Sequence, residues 1–133
     1  MKIGIFDSGI GGLTVFRQLM KKLPNSDYVY LGDTARLPYG IKSRKTVIEY
    51  SIKNTQFLIN KGCDLIVIAC NTASAFAYNI LRKKFNVPIF NVIDSGVFAV
   101  KDSGIQNIGV IATPSTIDSK TYTNKLKKVK NIK

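Results

Sequence analysis

Short apolar runs alternate along the chain with longer amphipathic stretches. Ile3–Phe6, Tyr28–Leu31, Leu65–Ala69 and Ile89–Val92 are four such runs, and each reads as a buried strand. Between them the apolar positions recur at helical spacing. Gly12–Lys22 is predicted as a helix that ends before Pro24. A longer helix is predicted from an N-cap at Ser43 to about Lys61, with Val47, Ile48, Ile52, Leu58 and Ile59 on its apolar face and Gly62 at its C′ position. A third runs from about Thr72 to Lys84, and Pro88 then opens the fourth strand. Asp94-Ser95-Gly96 reads as a turn or cap before a short helix, Ile108–Ile111 as a fifth strand, and Thr113 or Ser115 as the start of a last helix with Pro114 in its first turn. Strand and helix in strict alternation predict an α/β fold: a parallel sheet flanked by helices, doubly wound and flavodoxin-like.

The pattern carries a weak internal echo. Ile3-Gly4-Ile5 followed by Ser8 parallels Ile108-Gly109-Val110 followed by Thr113, each a strand, a hydroxyl-bearing loop and a helix. A second α/β domain is therefore expected to begin near Asp94, with residues 1–93 forming the first. Its one βα unit is rich in Lys and has no strand after it, so the expectation is of a second domain cut off.

Composition narrows the setting. The 133 residues, 45% hydrophobic, suffice for one modest core. No run approaches a membrane span, and Met1–Phe6 meets Asp7 too soon for a secretory signal. With two separated cysteines, this reads as a reducing, cytoplasmic location. The net charge of +12 attracts polyanions in principle. However, the basic residues are mostly Lys rather than Arg, and many fall between Lys120 and Lys133, as in a solvated face and tail. Nucleic acid is not the expected partner; small carboxylate substrates are an alternative. With no histidine, the chain has no Cys–His or Ser–His couple of its own, and nothing in it has zinc-ligand spacing. No metal site is expected.

The candidate chemistry lies in four loops, because every parallel strand delivers its following loop to the same carboxyl edge of the sheet. Cys70 stands at the end of the third strand and at the first turn of the following helix, where helix-end N–H groups lower a thiol's pKa. Cys63 lies at the other end of that strand, roughly 23 Å away at about 3.3 Å per residue, which precludes a disulfide. A plain buried small residue is the alternative reading of Cys70. After the first strand, Asp7-Ser8-Gly9-Ile10-Gly11-Gly12 is either an anion-binding loop or a tight turn capped by Asp7 or Ser8. Gly32–Gly40, with Pro38 and Tyr39, is either a substrate-covering loop or a rigid turn. Asn71 and Thr72 offer donors beside the thiol, and Ala112–Thr116 offers hydroxyls suited to a carboxylate or to capping. If the first and third strands are neighbours, Asp7 reaches the vicinity of Cys70, where it disfavours the thiolate yet can take its proton or hold a substrate ammonium. A carboxylate, a thiol and anion-binding hydroxyls suit proton transfer at the α-carbon of an amino acid.

These motifs, in this order, resemble the glutamate racemase group of the aspartate/glutamate racemases. The match rests on Ile3–Leu13, Gly32–Gly40, Ala69–Ala73 and Gly109–Ile117, and so spans nearly the whole chain. The resemblance implies cofactor-independent interconversion of L- and D-glutamate by two cysteines on opposite faces of the α-carbon, serving bacterial peptidoglycan and cell shape. Carried over residue by residue, Cys70 is the cysteine that acts on D-glutamate and Asp7 its assisting carboxylate. Ser8, Pro38, Tyr39, Gly40, Asn71, Thr72, Thr113 and Thr116 form the substrate pocket. The group's second cysteine, with the Thr and His that follow it, belongs to a later segment, as does the return segment that completes the first domain. The chain is thus expected to be a truncated form carrying half of a two-base site, with homo-oligomers possible. Another amino-acid racemase of the group is one alternative. A non-catalytic α/β fragment that binds acidic ligands, or a partner through exposed apolar surface, is the other.

Overall fold

The computed structural model describes residues 1–129 and 132; the last lysines of the expected basic tail, Lys130 and Lys133, lie outside the described residues. Four strands form one parallel sheet: β1 (Lys2–Asp7), β2 (Asp27–Gly32), β3 (Leu65–Ile68) and β4 (Ile89–Asn91), in the order β2-β1-β3-β4. β1 is central, with Ile5 opposite Tyr30 on one side and Val67 on the other. The crossovers are α1 (Leu13–Lys22), α2 (Arg44–Asn60) and α3 (Asn71–Lys84).

Alternation along the strands divides the core in two, because successive side chains point to opposite faces. Ile3 and Ile5 of β1 and Val67 and Ala69 at β3 pack against Val15, Phe16 and Leu19 of α1. Phe6, Ile66 and Ile68 point the other way and pack with Val47 and Leu58 of α2 and Ala73, Ala77 and Leu81 of α3. Helices on both faces of a parallel sheet give the doubly wound layering expected. The α1 face is only partly covered. Over β3 and β4 it leaves an apolar cavity of about 840 Å³, lined by Ile3, Leu19, Leu65, Val67 and Phe90, and Phe90 is 57% exposed.

Several expected boundaries hold for the expected reason. The Ser43 hydroxyl accepts the Thr46 N–H at 3.1 Å and caps α2, and Gly62 takes φ +77 after its end. Thr113 caps α5 (Pro114–Asp118), with Pro114 in its first turn.

Other expectations are corrected. Ile108–Ile111 is not a strand: the segment from Ile105 to Thr113 carries no regular structure, and Ile111 is fully exposed. A strand needs a ladder partner, and no strand of this sheet lies beside that segment, so the echo of β1 is one of sequence only. Asp94-Ser95-Gly96 is not a turn but lies inside α4 (Val92–Ser103), and the fourth strand stops at Asn91. There the Asn91 side chain accepts the Asp94 N–H at 2.9 Å and donates to its carboxylate at 2.7 Å, which starts the helix early. The last helix is two: α5 and α6 (Thr121–Leu126) meet at Ser119 and Lys120. Ser119 donates to the Thr116 carbonyl at 2.6 Å and accepts the Thr121 N–H at 3.1 Å, and Lys120 turns to φ +55.

Candidate functional site

Three of the four loops meet at the carboxyl edge of the sheet because β1, β2 and β3 end in register there; the fourth, Ala112–Thr116, is held there by contacts of Thr113 and Ser115 with Thr72 and Gly40. Asp7 closes β1, and its carbonyl accepts the Asp33 N–H at 2.9 Å. Its carboxylate is buried and accepts the backbone N–H groups of Gly9 at 3.1 Å and Gly12 at 3.0 Å. The loop is therefore a tight turn wrapped around Asp7, and it carries Ser8 to the cavity rim. Tyr30 donates from below to the Gly9 carbonyl at 3.0 Å.

Cys70 follows β3 and is the N-cap of α3. Its sulfur accepts the Ala73 N–H at 3.4 Å and donates toward the Ser8 hydroxyl at 3.6 Å. The thiol is 6% exposed. Burial pushes its pKa up, and the Asp7 charge adds to the rise, while the Ala73 N–H and the Ser8 hydroxyl and backbone act against it. This corrects the expectation of a lowered pKa: the helix-end donor is present, but loss of water around the anion outweighs it. Cys63 is also buried and free, and burial raises its pKa too.

Beyond Cys70, Asn71 points outward and accepts from the Tyr122 hydroxyl at 2.8 Å. Thr72, Thr113 and Thr116 form a closed triangle of hydroxyls, with oxygen–oxygen distances of 3.0, 3.3 and 3.0 Å. The triangle ties the start of α3 to the start of α5. Gly40 completes the wall. A Cβ there would lie 2.8 Å from the Thr113 side chain, so the close approach requires glycine, and its carbonyl accepts the Ser115 hydroxyl at 2.6 Å.

The candidate site residues line one cavity of about 580 Å³, except Thr116, which stands behind Thr72 and Thr113. Pro38 and Tyr39 form part of the wall, but the Tyr39 hydroxyl turns away from the cavity. It donates to the Asp33 carboxylate and receives the Asn54 amide at 3.1 Å. Burial and that carboxylate push the Tyr39 pKa far up, so the hydroxyl stays protonated. The Gly32–Gly40 stretch is therefore a rigid turn that also walls the cavity. The larger apolar cavity lies over the uncovered sheet face and offers no comparable cluster of polar groups. Among the described residues, no three His, Cys, Asp or Glu side chains converge on a point that could hold a metal ion.

Sequence reasoning missed Asn54 and Tyr122. Asn54 was detectable: Val47, Ser51, Asn54, Thr55 and Leu58 share the buried face of α2, so a polar side chain sits at a core position. Tyr122 follows the break between α5 and α6, which the sequence did not reveal.

Comparison with known proteins places the chain in a family and the fold among solved structures. A family model described as Asp/Glu/Hydantoin racemase matches residues 7–132. Glutamate racemase of Aquifex pyrophilus is 56% identical over 127 residues, which is 95% of this chain and 50% of that protein. Its crystal structure superposes with a TM-score of 0.95 at 50% identity, covering 100% of this chain and 54% of the other. Glutamate racemase from Francisella tularensis in complex with D-glutamate gives a TM-score of 0.91 at 46% identity, covering 99% of this chain and 50% of that one. The chain spans about half the length of the curated relatives it matches. On a family match over nearly the whole chain and close identity throughout the described fold, this protein belongs to the Asp/Glu/hydantoin racemase family.

Proposed function

We propose that this chain supplies the D-glutamate-facing half of a glutamate racemase site. The observation that carries the reading is the placement of the buried Cys70 thiol in one cavity with Asp7, Ser8, Asn71, Thr72 and Thr113. In this reading the Cys70 thiolate takes the α-proton of D-glutamate and becomes a thiol, leaving the electron pair on the α-carbon beside the carboxylate. Returning a proton from Cys70 restores D-glutamate; delivery by an acid on the opposite face gives L-glutamate. That second acid is a cysteine in the part of the relatives' length that this chain does not span. In this reading Asp7 takes the Cys70 proton, and the Thr72 and Thr113 hydroxyls, opening their bonds to one another, donate with helix-end N–H groups to carboxylate oxygens. The reaction needs no cofactor and supplies D-glutamate for peptidoglycan, in the cytoplasm. Among the described residues no helix is long and apolar enough to cross a membrane.

The test is proton NMR of D- and L-glutamate incubated with the folded chain in D₂O, beside Cys70→Ser, with alkylation of Cys70 read in parallel. Loss of the α-proton signal from D-glutamate only, absent in the variant, supports Cys70 as its base. Protection of Cys70 by D-glutamate without exchange supports binding and makes catalysis dependent on the second half. Neither exchange nor protection overturns the reading.

One observation favours a second reading, association of two copies. Phe90 lies on the edge strand β4 and beside the uncovered apolar face, so an unpaired strand edge and exposed apolar surface coincide. Sedimentation that stays monomeric at high concentration overturns it.

A further inference from the structure

Behind the cavity wall lies a polar cluster that reaches the cavity only through Tyr39. Asp33 follows β2 and is 6% exposed, while Asn54, on the second half of α2, is 1% exposed. The Asp33 carboxylate receives the Tyr39 hydroxyl, the Arg36 Nε at 2.8 Å and the Asn54 amide at 3.4 Å. Arg36 also donates from Nη2 to the Asn54 carbonyl oxygen at 2.9 Å, and its guanidinium lies 4.5 Å from the centre of the Tyr50 ring. Asn54 in turn donates to the Tyr39 oxygen. Each member is held by at least two others. A buried carboxylate paired in this way is costly to leave incomplete, so the four side chains behave as one rigid unit.

What the cluster holds is informative. Its only member on the cavity is Tyr39, whose ring forms wall while its hydroxyl is anchored behind. The next residue is Gly40, pressed against Thr113 and accepting the Ser115 hydroxyl. Thr113 then holds Thr72 and Thr116. An unbroken path of hydrogen bonds and close contacts thus runs from α2, through Asp33, Tyr39 and Gly40, to the start of α5. Helix α5 is five residues long and follows a segment without regular structure, so it has little of its own to fix its position.

We propose that Asp33, Arg36 and Asn54 are positioning residues that seat α5 through Tyr39 and Gly40, and so place the Thr113 hydroxyl, backed by Thr116, for an acidic ligand. The identity of that ligand as glutamate rests on the function proposed above; the seating of α5 does not. The Cys70 sulfur is held by Ala73 and Ser8, and none of the cluster's hydrogen bonds reaches it.

The experiment is hydrogen exchange of the Thr116 and Ile117 amides by NMR in the full chain. It compares wild type, Asn54→Leu, Ser115→Ala and the double variant. Asn54→Leu breaks the cluster at its start, and Ser115→Ala breaks the path at its end. Both are expected to speed exchange of these two amides about tenfold. The double variant should exchange no faster than the faster single, because both cut one path. Ile5 and Val67 amides should keep their protection, and the alkylation rate of Cys70 in Asn54→Leu should stay within twofold of wild type. Unchanged α5 exchange in Asn54→Leu, or effects that multiply in the double variant, overturns the proposal. If Asn54→Leu loses protection throughout the sheet, Tyr39→Phe takes its place, since it removes only the hydroxyl and leaves the Arg36 bonds intact. Protection of Cys70 by D-glutamate is read in the same samples. Its absence in wild type counts against the proposed function alone, because the α5 exchange still decides the seating. Protection in wild type that weakens in Asn54→Leu supports both.

Discussion

Gly12 is a position where one added methyl group should do clear damage with little change in chemistry. Its backbone has ordinary helical angles, φ −63 and ψ −12, so alanine costs nothing in conformation. The obstacle is space. A Cβ at Gly12 would lie 2.7 Å from the Asp7 Cβ, 2.9 Å from the Ala69 Cβ and 3.0 Å from the Tyr30 hydroxyl. Carbon atoms in contact prefer about 3.5–4.0 Å. Two of the three neighbours are Cβ atoms fixed to strand-end backbone, which no rotamer change can move aside. Relief therefore requires α1 to shift off the sheet, which stretches the Gly12 N–H bond to the Asp7 carboxylate. Overpacking of this kind costs about 1–3 kcal/mol, and rigid neighbours on two strands put this site near the top of that range. With a urea slope of about 1–3 kcal/mol per molar for a small protein, Gly12→Ala should lower the unfolding midpoint by roughly 1 M or more. Gly109→Ala is the control. Its added Cβ meets nothing within 4 Å and its φ is not positive, so the same substitution should be neutral or stabilise by up to about 1 kcal/mol through the unfolded chain. The assay is urea unfolding followed by circular dichroism on both variants and wild type. A Gly12→Ala midpoint within about 0.3 M of wild type would refute the reasoning.

Cys70 alkylation, resolved from Cys63 by peptide mass spectrometry, should climb steadily from about pH 7 to 10. Its midpoint should lie above the ordinary thiol value, because burial and the Asp7 charge raise the Cys70 pKa; a plateau below neutral pH would contradict this. Ser8→Ala removes a hydroxyl whose hydrogen bond with the sulfur opposes the rise, so it should move that midpoint further up. The Thr55 hydroxyl on α2 is buried without a hydrogen-bond partner among the described residues, so Thr55→Val should stabilise the fold by about 1 kcal/mol in the same urea assay. Burial pushes the Asp94 carboxyl up, but its bonds with Lys125 and Asn91 outweigh this and hold it below its ordinary value. The α4–α6 contact should thus be at full strength above the ordinary carboxylate range and weaken as pH falls through the depressed value. An acid titration of α6 amide shifts by NMR should show that transition in wild type and not in Asp94→Asn.

The sequence alone determined the sheet and most of what lines the cavity. Apolar runs such as Ile3–Phe6 and Leu65–Ala69 are long enough, and their spacing regular enough, to declare strand or helix without knowledge of partners. Because parallel strands deliver their loops to one edge, Asp7, Tyr39, Cys70 and Asn71 could be assigned to one rim before any coordinates. Local capping chemistry was equally legible at Ser43, Gly62 and Thr113, since a cap depends only on residues within a turn. Apart from the local Asn91 cap that starts α4 early and the Ser119 break between α5 and α6, what failed was whatever needed a distant partner. Ile108–Ile111 has strand composition, but a strand exists only beside another, and none lies beside it. The Cys70 pKa turned on burial, which depends on how α3 packs and not on the helix end the sequence displayed. Asn54 and Asp33 are 21 residues apart and acquire meaning only because α2 folds back over the end of β2. Tertiary structure decided these points because desolvation, ladder pairing and buried polar contacts are set by neighbours in space, which hydrophobic periodicity does not encode.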